Sequence, residues 1–137
     1  IITYYFKGKD IEDFKRKAEY FSLNYLQSIL RVKALEKISW HKSNGHTIVI
    51  VSASIDLWLK PWCEQNGIIL ISTMLEVKDQ IITGKTFKKN CYGLEKVKRI
   101  QELYNLSDYH YIYAYGNSRG DREMLGIASE PHYKPFI

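Results

Sequence analysis

The sequence predicts an α/β fold in which helices flank a parallel sheet, and three observations carry that prediction. The runs TIVIV (residues 47–51) and IILI (68–71) are apolar without polar alternation, the pattern of strands covered on both faces. HYIYAY (110–115) reads as a third strand. Between and around these runs, apolar residues recur three or four apart, the spacing of helices. Strands that alternate with helices pair in parallel, and such sheets bind ligands at the carboxyl ends of their strands. Two polar turns stand at such ends, Ser52-Ala53-Ser54 and residues 116–121.

The elements follow in order. Ile11, Phe14, Ala18, Phe21 and Tyr25 form one helical face over residues 10–26, and Asp10 with Asp13 has the spacing of a capping pair. Val32, Leu35 and Ile38 predict a second helix that Asn44-Gly45 stops. After the first strand, Ser54 is placed to cap a helix over IDLWLKPWCEQNG, with a kink or a fresh start at Pro61 and a stop at Gly67. Residues 75–87 alternate loosely around Lys78-Asp79-Gln80 and contain Gly84, which predicts a β-hairpin excursion. Residues 93–105 are helical, with Leu94, Val97, Ile100 and Tyr104 on one face. A strand, a turn, a short helix near 121–128 and a final short strand complete the chain.

At 137 residues, 45% of them hydrophobic, the chain suits one domain with a buried core. Its apolar runs are far too short to span a bilayer and no signal peptide is visible, so no membrane partner and a cytoplasmic location are expected. Cys63 and Cys91 do not make a disulfide framework and are expected as small packed residues. His41, His46, His110 and His132 lack the spacing of a helical metal site. The net charge of +5 is spread out, with no basic run beyond Lys15-Arg16-Lys17, so nucleic acid is not the expected partner. Small phosphorylated molecules suit the same surface. The chain opens at Ile1 rather than at methionine, which suggests a piece of a longer protein.

Four groups can carry chemistry. The Ser52 hydroxyl and the N–H groups after it can cradle an anion, although Ser-Ala-Ser alone is also an ordinary turn. Lys96 falls in the first turn of its helix, where the macrodipole disfavours a cation. A compensating acid or phosphate would explain it, and a solvated lysine beside Lys98 and Arg99 is the plain alternative. Asn117 and Asp121, four apart in a glycine-containing turn, offer oxygen ligands that suit Mg²⁺; an Asx-turn with a helix cap uses the same residues.

In order, SAS after a strand, NCYGLEKV and YGNSRGDREML resemble the haloacid dehalogenase (HAD) superfamily, its phosphoserine-phosphatase-like subfamily IB above all. GHTIVIVSAS, KPW, TGK in the hairpin and PHYKPF at the end extend the likeness over nearly the whole chain. The resemblance implies a Rossmann-like HAD core with a parallel sheet, a β-hairpin excursion and part of a helical cap. Residues 1–44 would be the C-terminal part of the cap and residues 45–137 the core without its first strand. It implies Mg²⁺-dependent hydrolysis of a small phosphorylated metabolite through an aspartyl-phosphate intermediate. Ser52 would hold the phosphate with its hydroxyl and Ala53 with its N–H. Lys96 would balance charge on the phosphoryl oxygens and the nucleophile. Asn117 and Asp121 stand at the metal positions, Asp121 orienting water at the metal or Lys96.

Two departures matter. No Asp-x-Asp-x-Thr-like motif is present, so the nucleophilic aspartate is expected upstream of Ile1, on a strand that belongs between those at 47–51 and 110–115. Asn117 replaces a carboxylate with a neutral amide, which predicts weaker metal binding. A HAD-like binding or regulatory protein without catalysis is the competing expectation. Tyr4, Tyr5, Phe6, Tyr20 and Tyr25 are substrate contacts or packing residues of the cap.

Overall fold

Helix α1 (Ile11–Asn24) starts where the sequence places it, because Asp10 accepts the Asp13 N–H at 3.0 Å as its N-cap. The structure, a computed structural model, describes residues 6–136, and its contacts divide the chain into two units, Ile1–Asn90 and Cys91–Ile137. Tyr4 and Tyr5 lie outside the described residues.

In the first unit, α1 ends one residue before Tyr25, and a short α2 (Leu26–Ile29) replaces the single longer helix expected to 26. Helix α3 (Val32–Ser43) stops at Asn44, and Gly45 follows with φ +70°, a left-handed position that suits glycine. Strand β1 (Val49–Ile55) pairs in parallel with β2 (Ile69–Thr73), Val49 opposite Ile69 through Ser52 opposite Ser72. Between them, a 3₁₀ turn (Asp56–Trp58) and helix α4 (Lys60–Gln65) replace one continuous helix, with Pro61 in the first turn of α4. The hairpin of β3 (Leu75–Lys78) and β4 (Ile81–Thr86) turns at Asp79 and Gln80, both at positive φ.

Two apolar clusters hold this unit together. Ile11, Phe14, Ala18 and Ile82 gather Phe6, Leu57, Trp58 and Leu75. Phe6 meets Phe14 edge-on at 4.8 Å, so it packs, whereas Tyr20 and Tyr25 contact each other and stay exposed. Leu26, Trp62, Cys63 and Ile68 gather Leu35, Ile38, Ile50 and Leu70, among others. Packing therefore runs across residue 44 without a break.

The expectation of a strand covered on both faces is corrected at β1, which is half-buried from Val49 to Ala53. Ile50 turns towards the Trp62 cluster, and alternation puts Val49 and Val51 on the opposite face. Among the described residues, β1 has one strand neighbour, β2.

In the second unit, α5 (Leu94–Leu103) begins after Gly93, whose φ of +60° starts the helix abruptly. Strand β5 (Tyr113–Gly116) pairs in parallel with β6 (Glu130–Tyr133), Tyr113 opposite Glu130. Between them run a 3₁₀ turn (Arg119–Asp121) and α6 (Arg122–Gly126). The strand expected from residue 110 starts at Tyr113, and His110 and Tyr111 are exposed. Parallel strand pairs joined through helices, with an antiparallel hairpin, make the expected α/β fold.

Candidate active site

The carboxyl end of β1 is built by a bulge. Register with β2 runs to Ser52 opposite Ser72 and resumes at Ile55 opposite Thr73, so Ala53 and Ser54 are extra residues on β1. Ser54 does not cap the next helix as expected: it lies in the strand, and its N–H donates to Ser52 Oγ at 3.0 Å. Ser52 and Ala53 thus sit where strand geometry breaks, at the sheet end that favours ligands. At the neighbouring strand end, buried Thr73 donates from Oγ1 to Asn90 Oδ1 at 2.7 Å.

In the second unit the structure brings Lys96, Asn117 and Asp121 together. Lys96 is buried in the first turn of α5, and its Nζ donates to Asp121 Oδ1 at 2.6 Å. Both side chains are more than nine-tenths buried. The cation in an unfavourable helix position is therefore compensated by a carboxylate, not by water. The other oxygen, Asp121 Oδ2, accepts the Asn117 N–H at 3.0 Å, the Ser118 N–H at 3.2 Å and the Ser118 hydroxyl at 3.3 Å. Ser118 and Asp121 cap the 3₁₀ turn reciprocally.

Burial alone would raise the Asp121 pKa. The Lys96 hydrogen bond, the Asn117 N–H, the Lys96 charge and the Ser118 N–H act the other way and win, so the carboxyl is held below its ordinary value. Glycine makes this fit possible. A Cβ on Gly116 would stand 2.5 Å from Asp121 Cβ and 3.0 Å from its Oδ2.

The donor set also tests a metal. Among the described residues, no three His, Cys, Asp or Glu side chains gather as an ion site. Both Asp121 oxygens already serve Lys96 and the turn, so Asp121 fits behind a ligand shell rather than in it. Asn117, exposed at the turn, fits a hard cation as one neutral oxygen ligand. Among the described residues, this donor set alone does not make a metal site.

Several participants were not singled out from the sequence. Ser118 and Gly116 shape Asp121, and Arg99, buried with Glu95 at 3.3 Å, adds a second charged pair on α5. Ser118 carried a readable signal, serine three residues before aspartate. His41 and His46 meet through their Nδ1 atoms at 2.8 Å outside this site, a spacing of five that helix periodicity does not flag. Cys63 is buried and its thiol is pushed up to about 11, chiefly by burial, which fits packing rather than nucleophilic chemistry.

The haloacid dehalogenase-like hydrolase family model matches residues 2–126. Protein CicA from Caulobacter vibrioides is 34% identical over 137 residues, an alignment covering 98% of this chain and 61% of CicA. A protein of unknown function from Bordetella pertussis Tohama I shares the fold with a TM-score of 0.77 at 22% identity, covering 88% of this chain and 57% of that one. A probable phosphoserine phosphatase from Vibrio cholerae does so with a TM-score of 0.69 at 17% identity, covering 92% and 38%. The chain thus spans about three-fifths of the length of the curated relative it matches. No helix among the described residues is long and apolar enough to cross a membrane.

Proposed function

Because the chain belongs to the haloacid dehalogenase-like hydrolase family, we propose that the complete protein is a cytoplasmic, Mg²⁺-dependent phosphatase of a small phosphorylated metabolite. The observation that carries this reading is the buried 2.6 Å contact between Lys96 and Asp121 beside the Asn117 turn. A fixed, desolvated ammonium suits charge that develops on a transferring phosphoryl group.

Ser52 and Ala53 take the phosphate. The Ser52 oxygen already accepts the Ser54 N–H, so its hydroxyl proton is available to a phosphoryl oxygen, and the Ala53 N–H adds a second donor. Lys96 neutralises the phosphoryl oxygens, and Asp121 holds that side chain in place. Asn117 would hold Mg²⁺ through one oxygen, with Asp121 behind it, and the ion would supply charge stabilisation at the phosphate. The nucleophile that would form the aspartyl-phosphate is assigned upstream of Ile1, since no paired-aspartate motif lies within these residues. Residues 1–44 serve as part of a substrate-selecting helical cap over the core at 45–137.

The neutral Asn117 favours a second reading, a HAD-like protein that binds phosphorylated ligands without turnover. A magnesium titration of p-nitrophenyl phosphate hydrolysis by the full-length protein separates the two. Turnover that requires Mg²⁺, half-saturating at lower concentration in Asn117→Asp, is the expected result. Absent turnover in both proteins supports the binding reading, and an unchanged magnesium dependence removes Asn117 from the metal.

A further inference from the structure

Lys96 can act only while its ammonium is held at Asp121, and the segments carrying the two residues meet at a second place. Gly93, one turn ahead of Lys96, donates its N–H to the Gly120 carbonyl at 2.9 Å, and Lys96 donates its own N–H to the Gly93 carbonyl at 3.1 Å. Gly93 sits at φ +60° and ψ −130°, backbone that glycine alone enters readily. The adjoining Tyr92 lays its ring on Gly120. A Cβ built on Gly120 would stand 2.5 Å from Tyr92 Cδ2 and overlap Cε2.

Gly120 is buried while Tyr92 is 53% exposed, so the ring serves as a cover more than as core. Gly120 is not among the positive-φ glycines. Alanine would suit its backbone, and the atoms nearest to an added Cβ all belong to the Tyr92 ring. Residues 92 and 93 therefore grip residue 120 twice, by ring contact and by hydrogen bond, immediately beside Asp121.

We infer that Tyr92 and Gly120 form a clamp that positions Lys96 against Asp121. The clamp belongs to the phosphatase reading through its kinetic consequence, and it has a structural consequence of its own. Displacing a catalytic group by about 1 Å costs on the order of 100-fold in rate. A Cβ on Gly120 forces either the Tyr92 ring or residue 120, which adjoins Asp121, to move.

The experiment compares four variants of the full-length protein: Gly120→Ala, Tyr92→Phe, Tyr92→Ala and the double Gly120→Ala/Tyr92→Ala. Gly120→Ala is expected to lower kcat for p-nitrophenyl phosphate by about 100-fold, with KM changed far less. Tyr92→Phe keeps the ring and the wild-type kcat. The double variant matches Tyr92→Ala and exceeds Gly120→Ala by roughly tenfold, because the new methyl enters the space the ring has left. Independent losses that simply multiply, or a Gly120→Ala variant with wild-type kcat, would overturn the clamp.

If the wild type shows no turnover, the phosphatase reading fails while the clamp is still decided by hydrogen exchange of the Gly93 amide, whose N–H the Gly120 carbonyl accepts. Gly120→Ala should speed that exchange, and the double variant should slow it again. Exchange unaltered in Gly120→Ala rejects the clamp.

Discussion

The two units of this chain solve burial in opposite ways. The first, Ile1–Asn90, fills its interior with Ile11, Phe14, Leu26, Ile55, Trp62, Ile68, Ile71 and Ile82. Its charges pair on the surface, as Arg16 with Asp13 at 3.0 Å, where such pairs contribute little. The second, Cys91–Ile137, has a smaller apolar interior of Cys91, Val97, Ala114 and Met124. Among the described residues, it also contains every buried lysine, arginine and aspartate: Lys96, Arg99 and Asp121. Apolar burial is non-directional and tolerates many arrangements, whereas a desolvated ion pair is favourable only in good geometry with its remaining valences satisfied. The second unit thus holds strict geometry where the first holds most of the apolar burial.

The largest test of that contrast is Asp121→Asn. The amide preserves shape but leaves the Lys96 charge buried without its counterion, a change that costs roughly 3–5 kcal/mol. The pH dependence gives the effect a signature. Asp121 titrates below its unfolded value, so its stabilisation is complete above about pH 4 and is lost as the pH falls through the lowered folded value. Urea unfolding of the full-length protein should show a wild-type acid limb that Asp121→Asn flattens. Parallel curves for the two proteins would mean that the pair is not a stabilising element.

Ile82→Val is the matching change in the first unit. Ile82 is completely buried, and the loss of one methylene from such a site costs about 0.5–1.5 kcal/mol. No charge is involved, so the loss should be the same at pH 4 and pH 7. A pH-dependent difference between Ile82→Val and wild type would show that the apolar interior of the first unit is not independent of its titrating groups.

What was legible in the sequence divides along the same line. Helix α1 with its Asp10 cap, the α3 stop at Asn44-Gly45 and the hairpin at Asp79-Gln80 follow from local rules, and the structure has all three. The order SAS, NCYG-LEKV, YGNSRGD pointed to the family although each piece alone was weak. Lys96 was legible as an anomaly, a cation at a helix start, but its partner lies 25 residues away and no local pattern names it. The extended course of Ser52-Ala53-Ser54 was missed because β1 keeps pairing with β2 past the polar residues, up to Ile55 opposite Thr73. Tyr92 on Gly120 was invisible, since a glycine demanded by space alone looks like any turn glycine.

The smallest predicted effect reverses the sign of the largest. Asp56, in the 3₁₀ turn after β1, lines a cleft of about 330 Å³ that combines apolar residues such as Leu57, Met74 and Leu75 with Glu12, Lys15 and Gln80. Burial raises its pKa, and the Leu57 N–H, the charge of Lys60, its own backbone N–H and the charge of Lys15 offset this only in part. A carboxyl raised on folding weakens the fold as the pH climbs from the ordinary value through the raised one. Asp56→Asn should therefore stabilise the full-length protein at pH 7, by less than about 1 kcal/mol because solvent screens a half-exposed group. The gain should disappear below about pH 4, where the unfolded carboxyl is also neutral. Asp121 and Asp56 would then be two aspartates whose neutralisation acts in opposite directions, one held charged by a lysine and one burdened by its charge. Loss of stability in Asp56→Asn at neutral pH would mean that Asp56 has a cationic partner strong enough to reverse the cost of its burial.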